Sequence, residues 1–446
     1  MATRQPTEVQ IRSYQVGFGD CFLLSFIYSA RMARHVLIDF GTTELPSKST
    51  KALKPSAYMP MVAEDIKRVC GGETGRLTAV VATHRHADHI SGFGTDGRTG
   101  DSGSIIKALR PKLILQPWTE DPDAATDARK ATRLSNRSRK GFVASLAAMH
   151  EVAGQVAALA AKNPPWMSAA IRKELSFIGQ DNIANRSAID NLIAMGEASG
   201  AAARYLHYGV KSGLDALLPG VKVHVLGPPD LTQTSGITKQ VSENENEFWQ
   251  LLAGSKLRVA GGALAGGLGA RKRGDAPVVP IEGRWFRDRL ERMRAQQLLE
   301  IVRSLDQQMN NTSVILLFEV FGKKLLFPGD AQLENWSYAL QEAPDAERVR
   351  ELLADVDVYK VGHHGSRNAT PRKLLWEKFR KRKGRQLKTL LSTLPGKHGR
   401  TTSNTEVPRR TLLQALEEES QLLNTDDLSF GAQPELCNVL VVKPAT

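Results

Sequence analysis

With 446 residues the chain exceeds the roughly 250–300 at which single cores stop growing, so two domains, or one large α/β domain with long insertions, are expected. A hydrophobic fraction of 41% excludes a mainly disordered chain. The surplus of 60 Lys and Arg over 47 Asp and Glu, a formal charge of +13, favours polyanionic partners such as nucleic acid, phosphorylated small molecules or an acidic membrane surface, although a soluble protein from a basic proteome would carry it too.

The N-terminal stretch MATRQPTEVQIRSYQVGFGD has no apolar signal-peptide core. No run of about 20 apolar residues follows, so no membrane span is expected. Residues 9–16, 21–26 and 35–40 alternate or run apolar and predict strands, with a turn at 17–20. Apolar positions at Met61, Val62, Ile66 and Val69 predict a helix over 58–70. The run LTAVVAT (77–83) predicts a strand buried on both faces. The three cysteines, Cys21, Cys70 and Cys437, are odd in number and far apart, which indicates neither a disulfide framework nor a Cys-based zinc site and suits a reducing cytoplasm.

That strand ends in Thr83-His84-Arg85-His86-Ala87-Asp88-His89, three histidines and one aspartate within six residues. Neutral imidazole and carboxylate hold Zn²⁺ and similar divalent ions. In a tight loop His84 and His86 can face one ion, and Asp88 and His89 a second.

Residues 94–305 read as mainly helical, with periodic stretches at 141–162, 187–203 and 282–309. The Gly-rich tract 261–274 reads as a flexible linker rather than a phosphate loop, because no strand leads into a Gly-Lys-Ser/Thr. A strand at 221–226 interrupts the stretch. Regular structure returns with strands at 313–320 and 324–327, a helix over 331–340, a strand over 356–361, a very basic helix over 371–383, a strand at 387–392, a helix at 407–420 and a last strand at 437–442.

The 84–89 loop resembles the HxHxDH signature of the metallo-β-lactamase superfamily. Val36-Leu37-Ile38-Asp39-Phe40-Gly41 resembles that family's early strand end, whose Asp braces the metal loop, and Leu326-Phe327-Pro328-Gly329-Asp330 its later one, whose Asp bridges two metals. Lys360-Val361-Gly362-His363-His364-Gly365-Ser366 is similar to the HHGS motif of a subgroup that includes the hydrolase domain of ComEC-type competence proteins and phosphorylcholine esterases. Val16-Gly17-Phe18-Gly19-Asp20 and Asn310-Asn311-Thr312-Ser313 are similar to the same subgroup. The resemblance covers about 8–95 and 220–445.

It implies an αββα sandwich: residues 1–95 and 306–446 form the metallo-hydrolase domain, and 96–305 a largely helical insertion from which the strand near 221–226 returns to the core. It implies two divalent ions held by His84, His86, Asp88, His89, Asp330 and His363, with Asp39 a further candidate. Either member of the 363–364 pair could be the ligand; His363, directly after a glycine, is taken, and His364 then lines the pocket or donates a proton. Many members carry another His about twenty residues before the bridging Asp. Here Asn311 stands in that region, a weak neutral ligand, so Zn²⁺ comes first and Mn²⁺ is the alternative. His150, His207 and His224 are weaker substitutes.

The implied chemistry is hydrolysis by a metal-bound hydroxide, with Asp88 at the centre and His364 or His398 protonating the leaving group. Nine basic residues against one acid over 372–388, and a second basic stretch at 129–140, make phosphodiesters of nucleic acid the leading substrate. Hydrolysis of carboxylic esters, lactones or amides is the alternative, and a non-catalytic partner in a DNA-processing or defence system the third.

Overall fold

The computed structural model describes residues 5–46, 54–95, 100–121, 186–230, 309–380, 386–399, 406–430 and 434–444, with scattered positions between 160 and 175 and at 233–234. The chain divides into two compact units. One comprises Met1–Pro122, Ala184–Ile237 and Met309–Thr446, the other Asp123–Ile183 and Thr238–Gln308. Every element described below belongs to the first. The expected helices at 141–159 and 282–308, the tract 261–274, the basic stretch 129–140 and His150 lie outside the described residues.

Two mixed sheets form the frame. The first has seven strands in the order β13-β1-β2-β3-β4-β5-β6 and the second six in the order β12-β11-β10-β9-β8-β7. In the first, β1 (Glu8–Tyr14), β2 (Cys21–Ser29), β3 (Met32–Phe40) and β13 (Cys437–Val442) are antiparallel. β4 (Ala79–Val81), β5 (Leu113–Pro117) and β6 (Ala202–Leu206) continue from β3 in parallel. The second sheet repeats the scheme. β7 (Val221–Gly227), β8 (Ile315–Val320) and β9 (Lys323–Phe327) are antiparallel. β10 (Val358–Lys360), β11 (Lys388–Leu391) and β12 (Gln421–Asn424) follow in parallel.

Period-two alternation decides which way each strand faces. Phe22, Leu24 and Phe26 of β2, Val36 and Ile38 of β3, and Leu316 and Phe318 of β8 share one buried core between the sheets. Phe22 meets Phe327 edge-on at 5.9 Å across it. The intervening residues face outward: Leu23 and Leu37 pack with Tyr58, Val62, Ile66 and Ile106 of the helices Pro55–Val69 and Ser102–Ala108. Ile315 and Leu317 pack with Trp336, Val349 and Leu416 of the helices Leu333–Ser337, Ala346–Ala354 and Arg410–Glu419. Helices thus cover the outer face of each sheet.

Three features differ from the sequence expectation. β5 and β6 extend the first sheet from within the stretch read as helical, and 100–122 and 184–237 pack with the first unit. The helix expected over 187–203 ends at Gly196, because β6 begins at Ala202. No α-helix forms over 371–380, only a single 3-10 turn at Trp376–Lys378; Pro371 opens a turn, and Leu375, Trp376 and Phe379 bury against the second sheet's outer core. Among the described residues no helix is long and apolar enough to cross a membrane.

Candidate metal centre

The site lies where strands of both sheets end: in the last residues of β3 (Asp39) and just after β4 (84–89), β9 (Asp330), β10 (363–364) and β11 (Ser392). Crevices at the carboxyl ends of strands are the usual place for ligands in α/β folds.

Asp39 organises the first loop. It is buried, with a left-handed φ of 54°. Its Oδ1 accepts the Thr83 N–H at 2.7 Å, and its Oδ2 accepts Thr83 Oγ1–H at 2.7 Å and His89 Nδ1–H at 2.8 Å. The loop is pressed against Gly41, where a Cβ would lie 2.5 Å from both the Asp88 carbonyl carbon and the His89 nitrogen. Arg85, between His84 and His86, turns away to Glu120, with Nε 3.0 Å from Oε2.

The hydrogen bonds also settle the tautomers. A carboxylate or carbonyl can only accept, so a ring nitrogen facing one carries the proton and leaves the other ring nitrogen as a lone pair. His89 Nδ1 faces Asp39, and His364 Nδ1 faces the Ser392 carbonyl at 3.0 Å. Thr83 Oγ1 has given its proton to Asp39, so it accepts from His84 Nδ1 at 3.2 Å. In a neutral ring these contacts make Nε2 the lone-pair atom; His364 Nε2, which also faces the Asp88 carboxylate at 3.0 Å, carries a proton by the same rule until a cation displaces it.

The Nε2 atoms of His89 and His364 converge with two carboxylates. Asp88, His89, Asp330 and His364, all buried, each offer one atom to a group that lies within 4.8 Å. His89 Nε2 is 3.0 Å from Asp330 Oδ2, and His364 Nε2 is 3.0 Å from Asp88 Oδ2 and 3.8 Å from Asp330 Oδ2. Asp88 Oδ1, His89 Nε2 and Asp330 Oδ2 are buried without a hydrogen-bond partner. Burying such atoms unpaired costs about 1–3 kcal/mol each, more when charged. This donor set suits a divalent cation.

Charge interactions dominate the site. Burial opposes the charged form of His89, but Asp330, Asp88, Asp39 and Asp20 outweigh it and hold its pKa well above the ordinary imidazole value. Burial likewise opposes ionised Asp330, yet His89, Lys360, His364 and His363 keep it well below the carboxylate range. Burial, with His89 and His86 beside it, pushes His84 well down.

His84 and His86 stand beside this group, with Nε2 of the first 3.0 Å from Nδ1 of the second and the His84 and His89 rings 4.2 Å apart. Asn310 and Asn311 are fully buried in a turn tied to the loop, since Val314 N–H donates to the Thr83 carbonyl at 3.0 Å. Asn311 Nδ2 donates to Glu334 Oε2 at 2.9 Å, while Oδ1 has no hydrogen-bond partner.

Of the 363–364 pair, His364 enters the four-residue group. His363 sits at its edge, about a quarter exposed, with Nε2 4.0 Å from Asp330 Oδ2. Its backbone N–H does reach Asp330 Oδ1, at 3.1 Å. The His398 ring lies 4.5 Å from that of Phe18, which lies 4.3 Å from that of His364. Burial, followed by nearby His363, lowers His398 to a pKa of about 3, so it is neutral near pH 7 and not a ready acid. His224 is engaged by Glu319, and His207 Nδ1 lies 3.1 Å from the Tyr208 carbonyl. In the basic segment Arg372 pairs with Glu377 at 2.8 Å and Arg380 with Asp355 at 3.1 Å; 381–385 lies outside the described residues.

Sequence reasoning gave no role to Lys360, Asp20, Ser392 or Glu334. Lys360 carries a signal as a lysine inside the buried run Val358–Val361 that demands a buried partner, and Asp20 closes the 16–20 stretch that carries the resemblance. No protein-family model and no curated protein matches the chain.

Proposed function

We propose that the chain is a metal-dependent hydrolase of the metallo-β-lactamase type, acting on phosphodiesters with nucleic acid as the leading substrate. One observation carries it: lone pairs and carboxylate oxygens from the 88–89 loop, the end of β9 and the turn after β10 meet in one buried group, three of them without a hydrogen-bond partner. The helix-covered pair of sheets with the site at their strand ends supports the same class.

Asp88, His89, Asp330 and His364 would hold one divalent ion; His84, His86, Asp330 and Asn311 Oδ1 would hold a second, less firmly. Zn²⁺ is the first choice, and Mn²⁺ the alternative for the Asn-bearing half. Such ions bring the pKa of adjacent water to roughly 7 and stabilise charge on attacking and leaving oxygens. The protein's part is to orient its ligands and to set which imidazole nitrogen faces the ion. Asp39, Ser392 and Thr83 fix three imidazoles as Nδ1–H tautomers. Asp330 is kept ionised by the charges around it. His363 and neutral His398 stand beside the ligands, placed to contact a leaving group. The net charge of +13 supports a polyanionic substrate.

The test is metal analysis of purified protein, with turnover of bis-p-nitrophenyl phosphate, single- and double-stranded nucleic acid and p-nitrophenyl esters in Zn²⁺ and Mn²⁺. Phosphodiester turnover absent from an Asp88→Ala/His89→Ala double variant is expected. Ester turnover alone moves the substrate class; turnover surviving the double variant, or protein that binds no cation, overturns the proposal.

A further inference from the structure

One strong feature of the centre belongs to no ligand set. Lys360, at the end of β10, is 2% exposed. Its ammonium donates to the Gly329 carbonyl at 3.0 Å, lies 3.3 Å from Asp330 Oδ1 and forms an ion pair with Asp20 Oδ2. Three buried carboxylates, those of Asp20, Asp330 and Asp39, act on it. Asp20, Asp39 and His89 form a second converging group within 4.8 Å. Asp39 is engaged by Thr83 and His89 Nδ1, and Asp20 Oδ2 is ion-paired with the Lys360 ammonium, although neither Asp20 oxygen has a hydrogen-bond partner.

The two oxygens of Asp330 are consequently unequal. Oδ1 receives Lys360 Nζ and the His363 N–H, whereas Oδ2 has no hydrogen-bond partner and faces His89 and His364. A carboxylate with both oxygens free can chelate one cation or swing between two. With Oδ1 pinned, it can present only the other.

We propose that Lys360, backed by Asp20, is a positioning residue that pins Asp330 by Oδ1, offers Oδ2 alone to the metal centre, and serves as the resident cation that keeps the acidic pocket folded before metal arrives. This rests on the metal-centre reading above. A purely packing role would support the metal-free and metal-loaded folds equally. A positioning role supports the metal-free fold more and alters coordination.

The experiment uses the full-length protein, stripped of metal and reloaded with Zn²⁺ or Co²⁺. The variant is Lys360→Met, which keeps length and loses the charge. Metal-free Lys360→Met should unfold roughly 10 °C below wild type, since removing one partner of a buried pair leaves the other uncompensated. Saturating Zn²⁺ should recover most of that gap. The Co²⁺ visible absorption per bound ion should fall severalfold as Asp330 chelates and coordination number rises. Equal losses with and without Zn²⁺ and an unchanged Co²⁺ spectrum overturn the inference. Should Lys360→Met not be recovered folded, Asp20→Asn/Lys360→Met removes both charges, and it must show the altered spectrum or the inference fails. Wild-type protein that takes up no Co²⁺ or Zn²⁺ refutes the metal-centre reading itself, a result distinct from both.

Discussion

Replacing Asp39 by Asn keeps its size and suits its left-handed φ of 54°, which asparagine tolerates better than most residues. It nevertheless breaks the logic of the loop. Asp39 accepts three hydrogen bonds, two of them at Oδ2. An amide supplies one acceptor oxygen and one donor NH₂. If the oxygen stays on the Thr83 N–H, the NH₂ faces His89 Nδ1 and forces the imidazole proton to Nε2, the atom that must be a lone pair. If the amide turns over, the NH₂ meets the Thr83 N–H across a position now bridged at 2.7 Å. Either arrangement forfeits a hydrogen bond to a charged group, about 1.5–3 kcal/mol. Carried into cation binding, that is a loss of roughly 10- to 150-fold in affinity, overlapping the range for outer-shell partners of ligating histidines. Competitive titration of metal-free protein with Zn²⁺ against a chromophoric chelator measures it, with circular dichroism showing that the variant is folded. A folded Asp39→Asn protein with wild-type affinity would refute the tautomer argument.

Gly41→Ala should cost most of the bound metal while far-ultraviolet dichroism stays close to wild type, because its Cβ would press on the backbone of Asp88 and His89. Glu334→Ala frees the Asn311 amide to rotate and should weaken the His84–His86 half alone, so the metal content of dialysed protein falls while the firmer equivalent remains. His35 gives a pH signature away from the centre. Burial, with Arg12 beside it, lowers its pKa from 6.5 to about 4. The unfolded chain takes up a proton near the ordinary value that the fold refuses until about pH 4, so this contribution is intact above pH 6.5 and lost as pH falls. The loss reaches about 3 kcal/mol at pH 4. Urea unfolding of wild type and His35→Leu at pH 7 and pH 4 should show it as a steeper decline in the wild type; parallel declines would contradict it.

The elements that were legible in the sequence share one property: their pattern is local. β2, β3 and β8 alternate cleanly because each lies between the inner core and a helical layer. β4 reads as buried on both faces because parallel neighbours flank it. β6 was lost because Ala202–Leu206 is an edge strand with exposed alternate residues and two alanines. β5 is missed because it is only five residues long. The basic helix expected after β10 does not form for the opposite reason: the burial of Leu375, Trp376 and Phe379, rather than the charges between them, fixes the path of the chain.

The candidate donor atoms in the 84–89 loop are equally local, but the partners that orient them are not. Nothing near His364 in the chain announces that the Ser392 carbonyl will hold its Nδ1, or that Asp20 will meet Lys360. The choice within the 363–364 pair turns on backbone geometry. Both residues have positive φ, 46° and 51°, and Gly365 follows at 84°. Two consecutive non-glycine residues in that region cost of order 1–3 kcal/mol each. The turn uses that strain to aim two groups from adjacent residues at one carboxylate: the His363 N–H meets Asp330 Oδ1, and the His364 imidazole comes to its Oδ2. An extended backbone would send the two side chains to opposite faces. The residue directly after the glycine thus spends its backbone on the site, and the next one delivers the ring.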